Sequence, residues 1–70
     1  MVWFLERNDD VMACEVRKAP DGTFVYEVTV SGGQTRVRRF DRPTPFIDGY
    51  LQEQQDFRRQ GWRPRLLTMR

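Results

Sequence analysis

The 70-residue sequence contains no histidine, one cysteine and one lysine. Without histidine, the chain lacks the side chain most often used for acid–base catalysis and metal binding. The single cysteine, Cys14, allows neither an intrachain disulfide nor a zinc-binding thiolate cluster. No apolar run approaches the roughly 20 residues of a transmembrane helix. We therefore expect a cytoplasmic, non-enzymatic protein with no cofactor, no metal ion, no small-molecule substrate and no membrane association.

The short length predicts a single small domain over residues 1–70, with one modest hydrophobic core. Such a core supplies about 3–5 kcal/mol of net stability on its own. Association with a second copy is one way for a chain of this size to bury more apolar surface.

The first forty residues predict a four-stranded antiparallel meander, because apolar and polar residues alternate between strong turn signals. The turns are expected at Asn8-Asp9-Asp10, at Ala19-Pro20-Asp21-Gly22 and at Gly32-Gly33, where two glycines suit a two-residue hairpin. The expected strands are about 2–7, 11–18, 23–31 and 34–40. Turns this short connect only antiparallel neighbours.

An amphipathic helix is predicted at about 45–60, with Thr44 as its N-cap and Pro45 at its first position. Gly61 is expected to end the helix in a left-handed conformation, with Trp62 folding back onto it. Residues 63–70 then form a short tail that Leu66 and Leu67 could order. The expected apolar stripe comprises Phe46, Ile47, Tyr50, Leu51, Gln54 and Phe57. The predicted fold class is α+β, with the order ββββα and the helix on one face of the sheet.

Positive charge is concentrated in the second half of the chain. Residues 36–70 contain nine arginines and four acids, whereas residues 1–35 contain three basic residues and six acids. If Val37 faces the core, Arg36 and Arg38 project from the open face, the side of the sheet that the helix does not cover. Glu15 and Glu27 could pair with them there. Arginine also binds phosphate in bidentate fashion. The candidate polyanion-binding residues are Arg36, Arg38, Arg39, Arg42, Arg58, Arg59 and Arg63.

The same open face is expected to carry an apolar strip that could form a protein interface. Strand 1 is apolar on both faces and is expected at the edge of the sheet, which favours pairing with another chain. The candidate interface residues are Val2, Phe4, Val11, Ala13 and Val25. The sequence thus favours a small binding domain that contacts a protein partner or forms a homodimer. The alternative is a nucleic-acid-binding or regulatory domain that uses the arginine-rich half.

Overall fold

The computed structural model describes residues 1–65 as a five-stranded antiparallel sheet with one helix packed against it. The α+β class and the four-strand meander followed by a helix are confirmed. The strands lie in the order β4-β3-β2-β1-β5. In chain order the elements are β1 (Val2–Arg7), β2 (Asp10–Lys18), β3 (Phe24–Val30), β4 (Thr35–Phe40), α1 (Pro43–Arg59) and β5 (Arg63–Pro64).

The polar turns connect the strands largely as expected from side-chain chemistry. Asn8 adopts a positive φ of 55° between β1 and β2, a conformation that asparagine tolerates better than most residues. In the next turn, the Asp21 carboxylate accepts hydrogen bonds from the Thr23 backbone N–H and hydroxyl group. The bond from the Thr23 backbone N–H lowers the pKa of Asp21.

The hairpin between β3 and β4 differs from the expected two-residue turn. Pairing Thr29 with Thr35 leaves room for a longer connection, in which the Gly33 N–H donates to the Val30 carbonyl and Gly32 has a φ of 69°. A two-residue turn at Gly32-Gly33 would instead have paired position 28 with Val37. The actual register is shifted by one residue, which reverses the faces of every β4 side chain.

The hydrophobic core lies between the sheet and α1. Its strand residues alternate with outward-facing ones, as the period of two requires. Phe24, Tyr26 and Val28 of β3 all belong to this helix-facing side, and Cys14 is fully buried beside them. The buried cluster consists of Leu5, Met12, Cys14, Tyr26, Val28, Phe57 and Trp62.

Helix α1 begins two residues earlier than predicted. Arg42, rather than Thr44, is the N-cap residue, with extended backbone angles that suit the residue before a proline. Pro43 takes the first helical position, and Pro45 is accommodated in the same first turn because the N–H groups there have no intrahelical partners.

The end of α1 follows the sequence signal closely. Gly61 has a φ of 96°, its N–H donates to the Arg58 carbonyl, and the Trp62 N–H donates to the Phe57 carbonyl. This pair of hydrogen bonds is the Schellman motif, and it returns Trp62 to the core.

The structure adds a fifth strand, which the sequence did not predict. Residues Arg63–Pro64 pair with Glu6 and Leu5 of β1, and the Arg65 N–H donates to the Phe4 carbonyl. The predicted tail therefore begins as β5, and its part with Leu66 and Leu67 lies outside the described residues. Within residues 1–65, no helix is long and apolar enough to cross a membrane.

Candidate interaction surfaces

We call the sheet surface opposite α1 the open face. Strand alternation and register place these residues on it: Val2, Phe4, Glu6, Val11, Ala13, Glu15, Arg17, Val25, Glu27, Thr29, Thr35, Val37, Arg39 and Arg63. The helix covers the other side of the sheet, so this surface is the uncovered side of a two-layer structure in the part of the chain described.

A row of four side chains crosses the open face from one strand to the next. Val2 pairs with Glu15, Glu15 with Glu27, and Glu27 with Val37. The two valines at the ends are 51% and 49% exposed, the largest exposures among the apolar side chains of this face. The row therefore has apolar ends and an acidic centre.

Arg17 neutralises much of that acidic centre. Its guanidinium group lies 2.9 Å from a Glu15 carboxylate oxygen and 3.3 Å from one of Glu27. Direct cross-strand neighbours of like charge are destabilising, and a cation between them removes that repulsion. The expected pairing of these glutamates with Arg36 and Arg38 is wrong, because Arg17 lies on their face and those two arginines do not.

Four of the five candidate interface residues are accessible on the open face. Val2 is exposed, and Phe4, Val11 and Ala13 are partly buried. The exception is Val25, which is only 1% exposed and pairs with Arg17 on one side and Arg39 on the other. Long arginine side chains can cover apolar surface while their charged ends stay in water. Placing Val25 in an accessible strip was therefore wrong.

The charged side chains that the five strands place on the open face balance in number. Three carboxylates (Glu6, Glu15 and Glu27) are matched by three guanidinium groups (Arg17, Arg39 and Arg63). Glu6 and Arg63 are direct cross-strand partners between β1 and β5. The surface is thus electrically mixed rather than basic.

Arg36 and Arg38 lie on the helix side of β4, which corrects their expected location on the open face. Both bind Glu53 of α1: Arg36 lies 2.6 Å from one carboxylate oxygen and Arg38 3.3 Å from the other. The Glu53 side chain is 12% exposed, whereas the two arginine side chains are 61% and 47% exposed. This clamp joins the middle of α1 to the edge strand.

The other candidate polyanion-binding arginines do not form one patch. Arg39 lies on the open face, and Arg63 lies in β5 at the far edge of the sheet. Arg42 caps the start of α1, while Arg58 and Arg59 lie in its last turn. At 1.5 Å per residue, Arg42 and Arg58 are about 24 Å apart along the helix. Arg59 also pairs with Asp56 at 3.1 Å.

The aromatic side chains are mostly used inside the fold. Tyr26, Phe57 and Trp62 are between 1% and 6% exposed. Trp62 is further covered by the Arg7 guanidinium group, which lies 4.6 Å from its ring centroid. Single-strand nucleic-acid binders present aromatic faces to bases, and these three rings are not accessible for that purpose.

The predicted apolar stripe of α1 is correct only in part. Phe46, Tyr50 and Phe57 pack on the sheet, but Ile47 and Leu51 are 44% and 47% exposed. An apolar groove of about 570 Å³ lies beside Leu51, between α1 and the first residues of β1. Its lining includes Met1, Val2, Trp3, Val16, Tyr50, Leu51 and Pro64.

Gln54 organises a polar network inside the core that the sequence did not reveal. Its side-chain oxygen accepts a hydrogen bond from Trp3 Nε1 at 3.1 Å, and its nitrogen donates to the Tyr26 hydroxyl at 2.9 Å. The same nitrogen lies 3.8 Å from Cys14 Sγ. Burial raises the pKa values of both the Cys14 thiol and the Tyr26 phenol, so both groups stay protonated at neutral pH. The sequence contained one indication of this network, because Gln54 is a polar residue within the predicted apolar stripe of α1.

Residues 1–65 contain no group of three or more potential ligands that could hold a metal ion. Comparison of the chain with protein-family models, curated proteins and solved structures found no significant match.

Proposed function

We propose that this chain is a protein-interaction module that self-associates through its open face. The observation that carries the proposal is the mixed character of that surface: its strands present apolar side chains beside three carboxylates and three guanidinium groups. A two-fold symmetric interface brings one surface patch against its own copy. A patch with balanced charge can place opposite charges against each other, whereas a patch of one sign would repel itself.

The packing of a second sheet on this face is also chemically reasonable. Phe4, Ala13 and Thr29 are cross-strand neighbours near the middle of the face, and none carries a charge. Two sheets packed face to face lie about 10 Å apart, which suits side chains of this size. Four strands about 4.8 Å apart, each about six residues long, present roughly 400 Å². We therefore expect a weak, concentration-dependent homodimer rather than an obligate one.

Nucleic-acid binding has less support from the geometry. Glu53 engages Arg36 and Arg38, and the remaining arginines lie at separate ends of the fold. Binding to a polyanion would weaken steeply with salt, with log K falling by about 0.9 for each phosphate neutralised on duplex DNA. An interface between copies that combines apolar side chains with paired opposite charges would weaken much less with salt.

Sedimentation equilibrium of the full chain tests the proposal. We expect the mass of two chains to predominate at roughly 100 μM, as it would for a Kd of about 10 μM. Ala13→Glu should give the mass of one chain, because it places a new charge at the centre of the interface. Thr29→Arg should do the same with the opposite charge. Gln55→Glu, on the exposed surface of α1, is the matched control and should leave the dimer intact.

The two substitutions introduce opposite charges, so together they distinguish self-association from polyanion binding. If the open face binds a polyanion, Ala13→Glu should weaken retention on heparin and Thr29→Arg should strengthen it. A wild-type chain that sediments as a monomer at every concentration would refute the proposal. So would a dimer that survives both substitutions, provided that circular dichroism shows both variants folded.

A further inference from the structure

The outer edge of β4 is a second surface, distinct from the open face. Strand β4 lies at the end of the sheet order, and no strand pairs with its outer side within residues 1–65. The five residues from Thr35 to Arg39 are all exposed. The opposite edge of the sheet is different, because β5 covers part of β1.

The register identifies which backbone groups of β4 point outward. Val30 N–H is directed at the Gln34 carbonyl across the hairpin. Hydrogen-bonded pairs recur at every second residue of an antiparallel ladder. Arg36 and Arg38 therefore direct their backbone groups towards β3, whereas Thr35, Val37 and Arg39 direct theirs away from the sheet. This edge offers three N–H donors and three carbonyl acceptors to an added strand.

The side chains around this edge are basic. Arg36 and Arg38 project on the helix side, and Arg39 projects on the open face. Glu53 provides one carboxylate for two guanidinium groups, so the clamp retains a net positive charge. Each guanidinium group has five N–H donors, and both remain about half exposed or more, so further carboxylates can bind them.

We propose that the β4 edge binds an extended acidic segment of another protein by strand addition. The added strand would bond to the backbone of Thr35, Val37 and Arg39. Its residues opposite Arg36 and Arg38 would be aspartate or glutamate, and the residue between them, opposite Val37, would be apolar. Backbone bonds supply affinity in this mode and alternate side chains supply specificity. The inference does not depend on self-association through the open face.

The same charges disfavour a second copy of β4 as the occupant. An antiparallel pair of β4 strands centred on Val37 would place Arg36 beside Arg38 of the other copy, twice. Like charges directly opposite each other on paired strands are destabilising. Charged side chains on edge strands commonly protect against edge-to-edge association. Here the basic side chains repel basic segments, including a second β4, but allow an acidic segment to pair.

A capped synthetic peptide in which glutamate alternates with valine and threonine is the probe. Titrated into the full chain labelled with ¹⁵N, it should shift the amide signals of Thr35, Val37 and Arg39 and slow their exchange with solvent. The same peptide with lysine in place of glutamate should not bind. Val37→Pro removes an outward N–H that the β3–β4 ladder does not use, and proline is tolerated on edge strands. We expect it to raise the Kd of the peptide about tenfold or more.

Val37→Thr keeps the N–H and is the matched control, so its Kd should stay within about twofold of the wild-type value. Ala13→Glu, which should break the open-face dimer, should still bind the peptide. The proposal is overturned if the glutamate peptide does not bind at about 1 mM. It is also overturned if Val37→Pro binds as well as Val37→Thr. An oligothymidylate that produces the same amide shifts and the same slowed exchange would assign the edge to nucleic acid instead.

Discussion

Replacing Gln54 with leucine tests the internal network of the core. Leucine has a shorter, branched side chain than glutamine, and it neither accepts nor donates a hydrogen bond. The substitution leaves Trp3 Nε1 and the Tyr26 hydroxyl without the partner that each has in the native structure, at 3.1 Å and 2.9 Å. The weaker contact to Cys14 Sγ, at 3.8 Å, is lost as well.

The expected loss of stability follows from those two strong bonds. A buried donor or acceptor left without a partner costs about 1–3 kcal/mol. Gln54 and Trp3 are partly buried rather than fully buried, so water can reach some of the freed groups. The added apolar surface of leucine also offsets part of the loss. We therefore expect the free energy of unfolding to fall by about 2–3 kcal/mol, out of the roughly 4–10 kcal/mol typical of a domain of this length.

Urea denaturation followed by tryptophan fluorescence and by circular dichroism measures this difference. The two signals should give the same transition, and the m-value should be unchanged, because the extent of the fold is the same. Gln55→Leu is the matched control: it makes the same change one residue further along α1, on an exposed position, and should alter stability by less than about 0.5 kcal/mol. If Gln54→Leu is as stable as Gln55→Leu, the network does not contribute as inferred.

Two further predictions concern the Glu53 clamp and the buried thiol. Glu53→Gln should lower the free energy of unfolding by about 1 kcal/mol, more than Asp56→Asn, and the difference should shrink in about 1 M salt; equal effects of the two would contradict a specific clamp. Cys14 is fully buried and its pKa is raised, so the thiolate is scarce at pH 8. Iodoacetamide should therefore modify the native chain about tenfold or more slowly than the chain in urea, and similar rates would show that the thiol is accessible.

Local sequence signals predicted the fold because each element carries its own. Alternation over Phe24–Val30, aspartate and glycine in the turns, and Gly61 before Trp62 act over a few residues and require no distant partner. The short strand Arg63–Pro64 has no such signal. It forms because the Schellman motif and Trp62 direct the chain along β1, and β1 lies at the other end of the described sequence.

The orientation of β4 was predicted wrongly because it depends on one loop residue. Two glycines permitted a two-residue turn, and that turn placed Val37 on the core side. The true register pairs Phe24 with Phe40, so two aromatic rings share the helix side and Arg36 and Arg38 go with them. Phe40 has a larger apolar side chain than Val37, and this difference was the available clue that the Phe40 face lies on the core side. Because Arg36 and Arg38 lie on the helix side, Glu53 of α1 is the partner of both. No local sequence pattern could have indicated this contact.

The pairing of β5 with β1 has a consequence for how the chain reaches its native state. The meander from β1 to β4 can form from contacts between neighbouring segments, which close small loops at low entropic cost. Because β5 follows α1 and Trp62 in the chain, we expect the backbone groups on the outer side of β1 to gain their partners after α1 has formed and Trp62 has docked. During that interval an apolar strand edge stays available to other chains, and such edges favour aggregation. We therefore expect the two residues of β5 to cover this edge of β1 late in folding and to limit aggregation from that point on.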